Sequence, residues 1–287
     1  MPITVTRPTI TAALIVKNAA KHLATCLASV HDWVDEIVMV DSGSTDETEA
    51  IARQFAQAAP SSIRFYRHTE WPGFGRQRQL AQSYVNSNFV LWLDADERVT
   101  AELKQSILHA IQYHQADQIY RINRLTTAFG KTIHYSGWSP DWVVRLYKTQ
   151  DAHFNDALVH ESVIIPKGFR VLPLEGRLEH FTFDHLDQYH QKTQLYMKSW
   201  ADQHEGLKSS TLIGAIMHGV FRFLKMYILK LGFLDGQHGL LLALLSGNTT
   251  FSRYADLWLR EYQKKHSLPI SCSAAKKNSY PYENLPR

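Results

Sequence analysis

The strongest constraint on this chain is Phe89-Val-Leu-Trp-Leu93, an uncharged apolar run that passes directly into Asp94-Ala-Asp-Glu97. A run of that length without charge suits a strand buried on both faces of a parallel sheet. In open α/β sheets, ligands gather at the carboxyl ends of such strands. The acids are therefore expected at the mouth of a crevice. Asp94 and Asp96 stand one residue apart where the chain turns, so both can face one ligand, and carboxylate oxygens suit a hard divalent cation such as Mg²⁺ or Mn²⁺. The plainer alternative is an acidic loop whose last member, Glu97, caps the helix that starts near Thr100.

The preceding residues supply neighbours for that strand. Ile10–Val16 reads as a first strand, followed by a turn at Lys17-Asn18 and an amphipathic helix over about Ala20 to Val30. Glu36–Val40 is a second buried strand, and Asp41-Ser-Gly-Ser-Thr-Asp46 leads into a helix through Ile51 and Phe55. Gly43 lets the chain turn sharply, Ser44 or Thr45 can cap the helix, and Asp46 and Glu47 suit its positive end. Asp41, at the strand tip, can either accept hydrogen bonds from a base or ribose or close its own turn. A third strand, Ile63–Tyr66, is followed by Trp71-Pro-Gly-Phe-Gly-Arg-Gln-Arg78 and a helix over about Gln77 to Val85. Gly73 and Gly75 allow close approach of backbone to ligand, and Arg76 and Arg78 add positive charge at a helix start, unless they are simply solvated. The order β-α-β-α-β-α-β predicts a doubly wound parallel sheet. A dinucleotide-binding dehydrogenase is disfavoured, because Lys17-Asn-Ala-Ala-Lys21 offers no glycine-rich phosphate turn after the first strand.

Beyond a helix over about Thr100 to Tyr113 the pattern changes. Gln118–Asn123, Lys131–Tyr135, Trp142–Tyr147 and Val159–Ile165 read as further strands, antiparallel ones at the far side of the sheet. Three features there can do chemistry. Gly137-Trp138-Ser-Pro-Asp141 carries an indole and a carboxylate on a tight turn, as sugar-binding surfaces do, or holds a packed loop tryptophan. Arg145 can meet a phosphate or serve a structural ion pair. Glu161 can act as a general base or sit in a salt bridge.

From Asp184 the chain reads as helical. Residues 186 to 204 are polar, and Leu212 to Leu231 combines bulky apolar side chains with Arg222, Lys225 and Lys230. That interruption argues against a bilayer span and for a basic amphipathic helix lying on an anionic membrane surface, or one packed on the catalytic domain or a partner. The expected organisation is a catalytic domain over residues 1–183, a helical extension over 184–265 and a polar, disordered tail over 266–287. With 45% hydrophobic content over 287 residues the chain can bury a real core, while a net charge of +4 falls well short of a nucleic-acid footprint. Two cysteines exclude a disulfide framework, and the N-terminal residues show no cleaved signal, so a reducing cytoplasm is the expected home.

Asp41-Ser-Gly-Ser-Thr-Asp46, Leu93-Asp-Ala-Asp-Glu97 and Val159-His-Glu161, in this order, resemble the family 2 inverting glycosyltransferases of GT-A fold. Trp71-Pro-Gly-Phe-Gly, Gly137-Trp-Ser-Pro-Asp141 and Gly232-Phe-Leu-Asp-Gly236 are more narrowly similar to bacterial lipopolysaccharide-core β-1,4-glucosyltransferases acting on the inner-core heptose. The resemblance implies a GT-A sheet, mostly parallel with an antiparallel acceptor-side portion, and a C-terminal helical extension. It also implies a UDP-sugar donor, expected to be UDP-glucose, and a lipid-linked core saccharide acceptor at the inner face of the cytoplasmic membrane, with no nucleic acid partner. By that likeness Asp41 would hold the uracil or ribose side, Asp94 the ribose or metal shell, and Asp96 a Mg²⁺ or Mn²⁺ ion bridging the diphosphate. Arg78 would face the nucleotide, with Asn18, Gly75 and Arg145 as further donor contacts, Trp138 as an acceptor contact, Glu161 as base and Asp141 as the alternative base. The chain departs from the family at Ala19, where an acid commonly follows the asparagine, and at the histidine preceding Glu161. The competing readings are a sugar-phosphate nucleotidyltransferase and a non-catalytic saccharide-binding protein at a membrane surface.

Overall fold

The computed structural model describes residues 7–58, 61–157 and 161–266. Among these, one compact unit takes the chain up to Leu125 together with Pro140–Thr182, and a second takes Thr126–Ser139 with the chain from Phe183 onward.

In the first unit the four expected parallel strands form: β1 (Ile10–Val16), β2 (Glu36–Asp41), β3 (Ser62–Arg67) and β4 (Phe89–Leu93). Their order is β3-β2-β1-β4, with β1 between β2 and β4. Every residue of β1 and β4 is buried, and alternate side chains enter two different cores. Leu14, Met39, Leu91 and Leu93 point into one, where they meet Leu23 and Leu27 of α1 (Ala20–Ala28) and Ala52 of α2 (Thr48–Ala58). Ile15, Val38, Val40 and Trp92 point into the other, against Ala81 of α3 (Phe74–Ser83). The period-two geometry of a strand thus explains why these runs carry no polar alternation, since both faces are covered.

After β4 the chain forms a short strand that the pattern did not suggest, β5 (Glu97–Val99), and then α4 (Ala101–Gln112). The cap of α4 is Thr100, whose hydroxyl accepts from the Leu103 amide at 3.3 Å. Glu97 is therefore not the helix cap but a fully buried strand residue. Further on come β6 (Gln118–Ala128), β7 (Lys131–Thr132), β8 (Asp141–Lys148), β9 (His153–Phe154), β10 (Val163–Ile164), β11 (Arg170–Pro173) and β12 (Leu178–Phe183). β8 lies antiparallel to β4 and to β6, so an antiparallel half does follow the parallel one, in the order β4-β8-β6-β12-β5. β10 pairs with β9 instead of joining the main sheet, while Val159 and His160 of the expected strand lie outside the described residues. So does the expected polar tail beyond His266.

The helix after the glycine loop begins at Phe74, not Gln77. Gly73 supplies the break at φ 99°, and nothing after it forbids helix, so Gly75, Arg76 and Arg78 fall within the first turns. The turn after β2 also differs in detail. The Asp46 carboxylate, not Ser44 or Thr45, accepts from the Thr48 amide (3.1 Å) and hydroxyl (2.6 Å) at the start of α2.

The second unit is mainly helical: α5 (Leu186–His204), α6 (Leu212–Leu224), a π-helical turn Lys225–Leu229, a 3₁₀ turn Gly232–Asp235, and α7 (Gln237–Lys265). Asp235 is buried and organises the turn. Its carboxylate accepts from the His134 and Tyr135 amides and the Ser136 hydroxyl, each at 3.0 Å. The Ile133 amide still donates to the Thr126 carbonyl at 2.9 Å, but those of His134 and Tyr135 turn to Asp235, so the pairing expected over Lys131–Tyr135 goes no further. Gly239 allows α7 to start against this turn, for a Cβ there would lie 1.8 Å from the Gly232 carbonyl oxygen.

Candidate active site

Three strand ends of the first unit carry the predicted acids. The turn after β4 is closed by the Glu97 amide donating to the Asp94 carbonyl (2.9 Å) and by the Asp94 amide donating to Glu97 Oε2 (2.8 Å). This pair of bonds fixes the Asp94 side chain between two arginines. Arg78 Nη2 donates to Asp94 Oδ1 and Arg145 Nη2 to Asp94 Oδ2, both at 2.7 Å. Arg145 also reaches Glu97 Oε1 at 2.9 Å, Arg124 approaches the same oxygen at 3.4 Å, and Arg124 Nε binds Asp141 Oδ2 at 2.8 Å. At the other end Arg78 Nε donates to Glu161 Oε1 at 3.0 Å. Glu161, Arg78, Asp94, Arg145, Glu97, Arg124 and Asp141 thus make one continuous chain of alternating sign.

The network is buried where it is densest: Arg78 is 3% exposed, Arg145 5% and Glu97 0%. Arg78 reaches it from α3 across the faces of Trp92 and Phe154, 5.3 and 4.9 Å from the ring centroids, a setting that favours a cation without solvating it. Burial pushes Glu97 above the usual carboxylate range, with Asp94 adding to it, against the pull of Arg145 and Arg124. For Arg145 burial acts downward, and the Asp94 and Glu97 carboxylates outweigh it, so this guanidinium stays charged. Arg78 Nη1 and Arg145 Nε are buried donors with no hydrogen-bond partner among the described residues. Cys26 lies beneath the turn, with its thiol 3.5 Å from the Asp94 carbonyl, and burial together with the acids pushes that thiol up and leaves it unreactive.

Asp96 leaves the network and faces His180 of β12, whose Nε2 is 3.5 Å from Asp96 Oδ2. The pairing of β12 with β5 sets this up by placing His180 opposite Glu97. Among the described residues no group of three or more histidine, cysteine or acidic side chains is arranged to hold a metal ion. The Asp96 carboxylate nevertheless fits Mg²⁺ or Mn²⁺, ions commonly held by one or two protein carboxylates while substrate phosphates and water complete the shell, and the His180 imidazole beside it suits Mn²⁺ better than the harder Mg²⁺. Asp94 fits less well, because each of its oxygens already accepts from an arginine.

Asp41 and Asn18 form a separate arrangement. The Asp41 carboxylate accepts from the Gly43 and Ser44 amides, each at 3.0 Å, and from the Ser44 hydroxyl. Asn18, at φ 50°, accepts from the Thr45 amide at 2.9 Å and donates its own amide to the Ser44 hydroxyl at 2.8 Å. Asp46 adds a bond from the Ala20 amide at 3.0 Å. The turns after β1 and β2 are thereby tied together, and Asp41 closes its own turn. Gly75 also has a packing role: a Cβ there would lie 1.9 Å from the Asn155 carbonyl oxygen, and its amide donates to Ala157 at 3.0 Å. What approaches this glycine is the chain itself. Trp138 belongs to the second unit, where it packs on a cluster that includes Ile133, Met226 and Leu242.

Sequence reasoning missed Arg124 and His180 as members of this region and gave Glu97 the role of a helix cap. Arg124 lies in a strand with ordinary alternation, β12 around His180 has none, and nothing local distinguishes either residue. Glu97 carried a signal, since an acid directly beside a buried strand end needs either solvent or a cation.

The glycosyl transferase family 2 model matches residues 11–196 of the chain. The chain belongs to that family. Its mixed α/β sheet with a C-terminal helical portion is the GT-A architecture of the family, and the chain is a glycosyltransferase. It is 27% identical over 260 residues to the lipopolysaccharide core biosynthesis glycosyltransferase LpsC of Rhizobium meliloti, covering 86% of this chain and 93% of the relative. It is also 27% identical over 265 residues to an uncharacterized glycosyltransferase of Rickettsia felis, covering 86% and 89%. Among solved structures, the mannosyltransferase PcManGT of Pyrobaculum calidifontis, in complex with GDP-Man and Mn²⁺, is similar at 14% identity, TM-score 0.49, with 93% and 82% coverage. S. aureus TarS 1-349 is similar at 13% identity and TM-score 0.43, with 89% and 92% coverage.

Proposed function

We propose that this family 2 enzyme transfers a hexose, with inversion, from a nucleoside diphosphate sugar to a lipid-linked saccharide, and that glucose from UDP-glucose to a heptose of a lipopolysaccharide inner core is the specific reaction. The observation that carries the reading is the Glu161–Arg78–Asp94–Arg145 chain at the carboxyl ends of the parallel strands, in which two arginines keep an unpaired donor each. The name of the Rhizobium relative supports the lipopolysaccharide class of acceptor.

In this reading the acceptor hydroxyl attacks the anomeric carbon while the carbon–oxygen bond to the diphosphate breaks. An α-linked donor then gives a β-linked product in a single displacement. Glu161 Oε2, opposite the oxygen held by Arg78, takes the hydroxyl proton, and the arginine aims that carboxylate. Asp141, held by Arg124, is the second candidate for the same task. Arg78 and Arg145 supply positive charge for the departing diphosphate in a site poor in water, where fixed charge is most effective. Asp96 and His180 would hold Mg²⁺ or Mn²⁺, which would neutralise diphosphate charge when bound. Asn18 and Asp41 shape the wall for the base and ribose, and Trp138 is offered as a sugar-stacking surface. The lipid-linked acceptor sets the enzyme's place at the inner face of the cytoplasmic membrane.

Transfer of labelled glucose from UDP-glucose to a core lipid acceptor, with Mn²⁺ present, tests the reading; UDP-galactose and UDP-N-acetylglucosamine serve as competing donors. Glu161→Gln should lower the transfer rate by roughly 10²–10⁴-fold, with donor binding by thermal shift preserved. A modest loss in Glu161→Gln beside a large one in Asp141→Asn would move the base to Asp141. Full activity of Asp96→Ala under excess Mg²⁺ would remove the metal role.

A further inference from the structure

Helix α6 of the second unit buries two small residues and exposes most of its large ones. On α6 the buried residues are Ala215 and Gly219, with Phe223 half-buried against the core cluster, and Gly219 meets Gly247 of α7 so closely that a Cβ would lie 3.0 Å from the Gly247 carbonyl oxygen and 2.9 Å from Phe251 Cβ. Ile213, Met217, Phe221 and Leu224, spaced to share one face of the helix, are instead 75, 61, 61 and 41% exposed. Leu229 and Leu234 continue the exposed apolar surface into the turn that follows, at 69 and 52%. Water-facing helices show the reverse arrangement, whereas close packing through small residues with large aliphatic groups outward is how helices pair in lipid. Leu212–Leu229 is long and apolar enough to cross a membrane, and only 17% of it is buried.

Charge decides what covers this face. Between Glu205 and Asp256 the sequence contains one carboxylate, Asp235. It is 2% exposed and engaged with the His134 and Tyr135 amides. The surface of α6 and its turn presents Arg222, Lys225 and Lys230, all exposed, and the stretch between Glu205 and Asp256 contributes no exposed acid to it. None of the three makes an ion pair among the described residues. A second copy docked on this face about a two-fold axis would set cation against cation with nothing to neutralise them. Head groups of an anionic bilayer would supply the missing charge, and the acyl boundary would take the aliphatic stripe. Two cations within Leu212–Leu229, one of them (Arg222) hydrogen-bonded to Ser246 at 2.7 Å, favour an in-plane helix over a spanning one.

We infer that the exposed face of α6 and the turn after it is a monotopic docking surface for an anionic lipid bilayer. The inference rests on the lipid-linked acceptor proposed above and adds to it the residues that make contact and the sign of the lipid.

Flotation of the full chain tests it, using phosphatidylcholine vesicles with and without phosphatidylglycerol, while UDP release from UDP-glucose to a soluble core saccharide acceptor, with Mn²⁺ present, is read in the same samples. The chain should float with the anionic vesicles and lose that binding as salt rises. Lys225→Glu with Lys230→Glu should weaken binding roughly tenfold or more. Met217→Asp with Phe221→Asp should abolish binding while circular dichroism and UDP release stay unchanged. Equal binding to both vesicle types, no binding to either, or a lipid-free dimer that Met217→Asp with Phe221→Asp converts to monomer would overturn the inference. Vesicle binding without any UDP release would support the docking surface and overturn UDP-glucose and the core saccharide as the substrate pair instead.

Discussion

The acid–arginine chain of the first unit and the α6 face of the second break the same rule in opposite directions. In one, Arg78, Arg145 and Glu97 are charged groups taken out of water; in the other, Ile213, Met217 and Phe221 are hydrocarbon left in it. Charged side chains are almost never fully buried unless paired, and contiguous exposed apolar surface marks an interaction site. Each violation has its own form of compensation. The buried charges compensate one another inside the fold, while Arg78 Nη1 and Arg145 Nε keep donors with no partner among the described residues. The exposed apolar face has no internal compensation and points outward to something that must supply it.

That contrast sets the sizes of mutational effects. Arg145→Leu strands Asp94 and Glu97 without their shared cation and should cost about 3–5 kcal/mol in urea unfolding, a large part of the total stability; a loss under 1 kcal/mol would mean that the network is not held in solution. Asp235→Ala leaves the His134 and Tyr135 amides and the Ser136 hydroxyl unpaired and should cost about 2–3 kcal/mol, with faster amide exchange over 133–136. Asp46→Ala removes an exposed acid that accepts from Ala20 and Thr48, and should cost about 1 kcal/mol at neutral pH. Burial acts to raise the pKa of Asp46, but the bonds from Thr48 and Ala20 outweigh it and hold the carboxyl below its ordinary value. The stability that Asp46 contributes is therefore present above the ordinary carboxylate range and disappears as pH falls through the depressed value, so wild type and variant should converge in acid. Ile213→Ser should change unfolding by no more than about 0.5 kcal/mol, because that side chain touches mostly solvent. A larger cost would mean that α6 packs inward on this face and that the comparison fails.

How much of this was legible in the sequence depends on the range of the interaction. The parallel half follows from runs such as Ile10–Val16 and Phe89–Leu93, because burial on both faces removes polar alternation and leaves an unmistakable local pattern. Asp94 and Asp96 were visible for the same reason, as acids abruptly ending such a run. Glu97 was assigned to a cap because Thr100 and the helix lie close in sequence, whereas its actual partners, Arg124 and Arg145, lie 27 and 48 residues away. His180 could not be found without the pairing of β12 with β5, and β12 itself has no strong alternation. In the second unit the bulky apolar residues of α6 were plain in the sequence. Their outward direction was not, since it depends on Gly219 and Gly247 having claimed the inner side.

Gly75 has one more consequence, which concerns synthesis. The carbonyl of Asn155 occupies the space where its side chain would be, and Arg78, one turn along the same helix, waits for Glu161, 83 residues further on. A nascent chain can complete the parallel strands long before that carbonyl emerges. Until then α3 has an open notch, and Arg78 lacks one of its two carboxylates. Closing so long a loop is entropically slow relative to local contacts. The strand ends carrying Asp94 and Asp96 are therefore assembled early and Glu161 joins them late, so a chain released before Asn155 would hold those acids and Arg78 with no Glu161 opposite them.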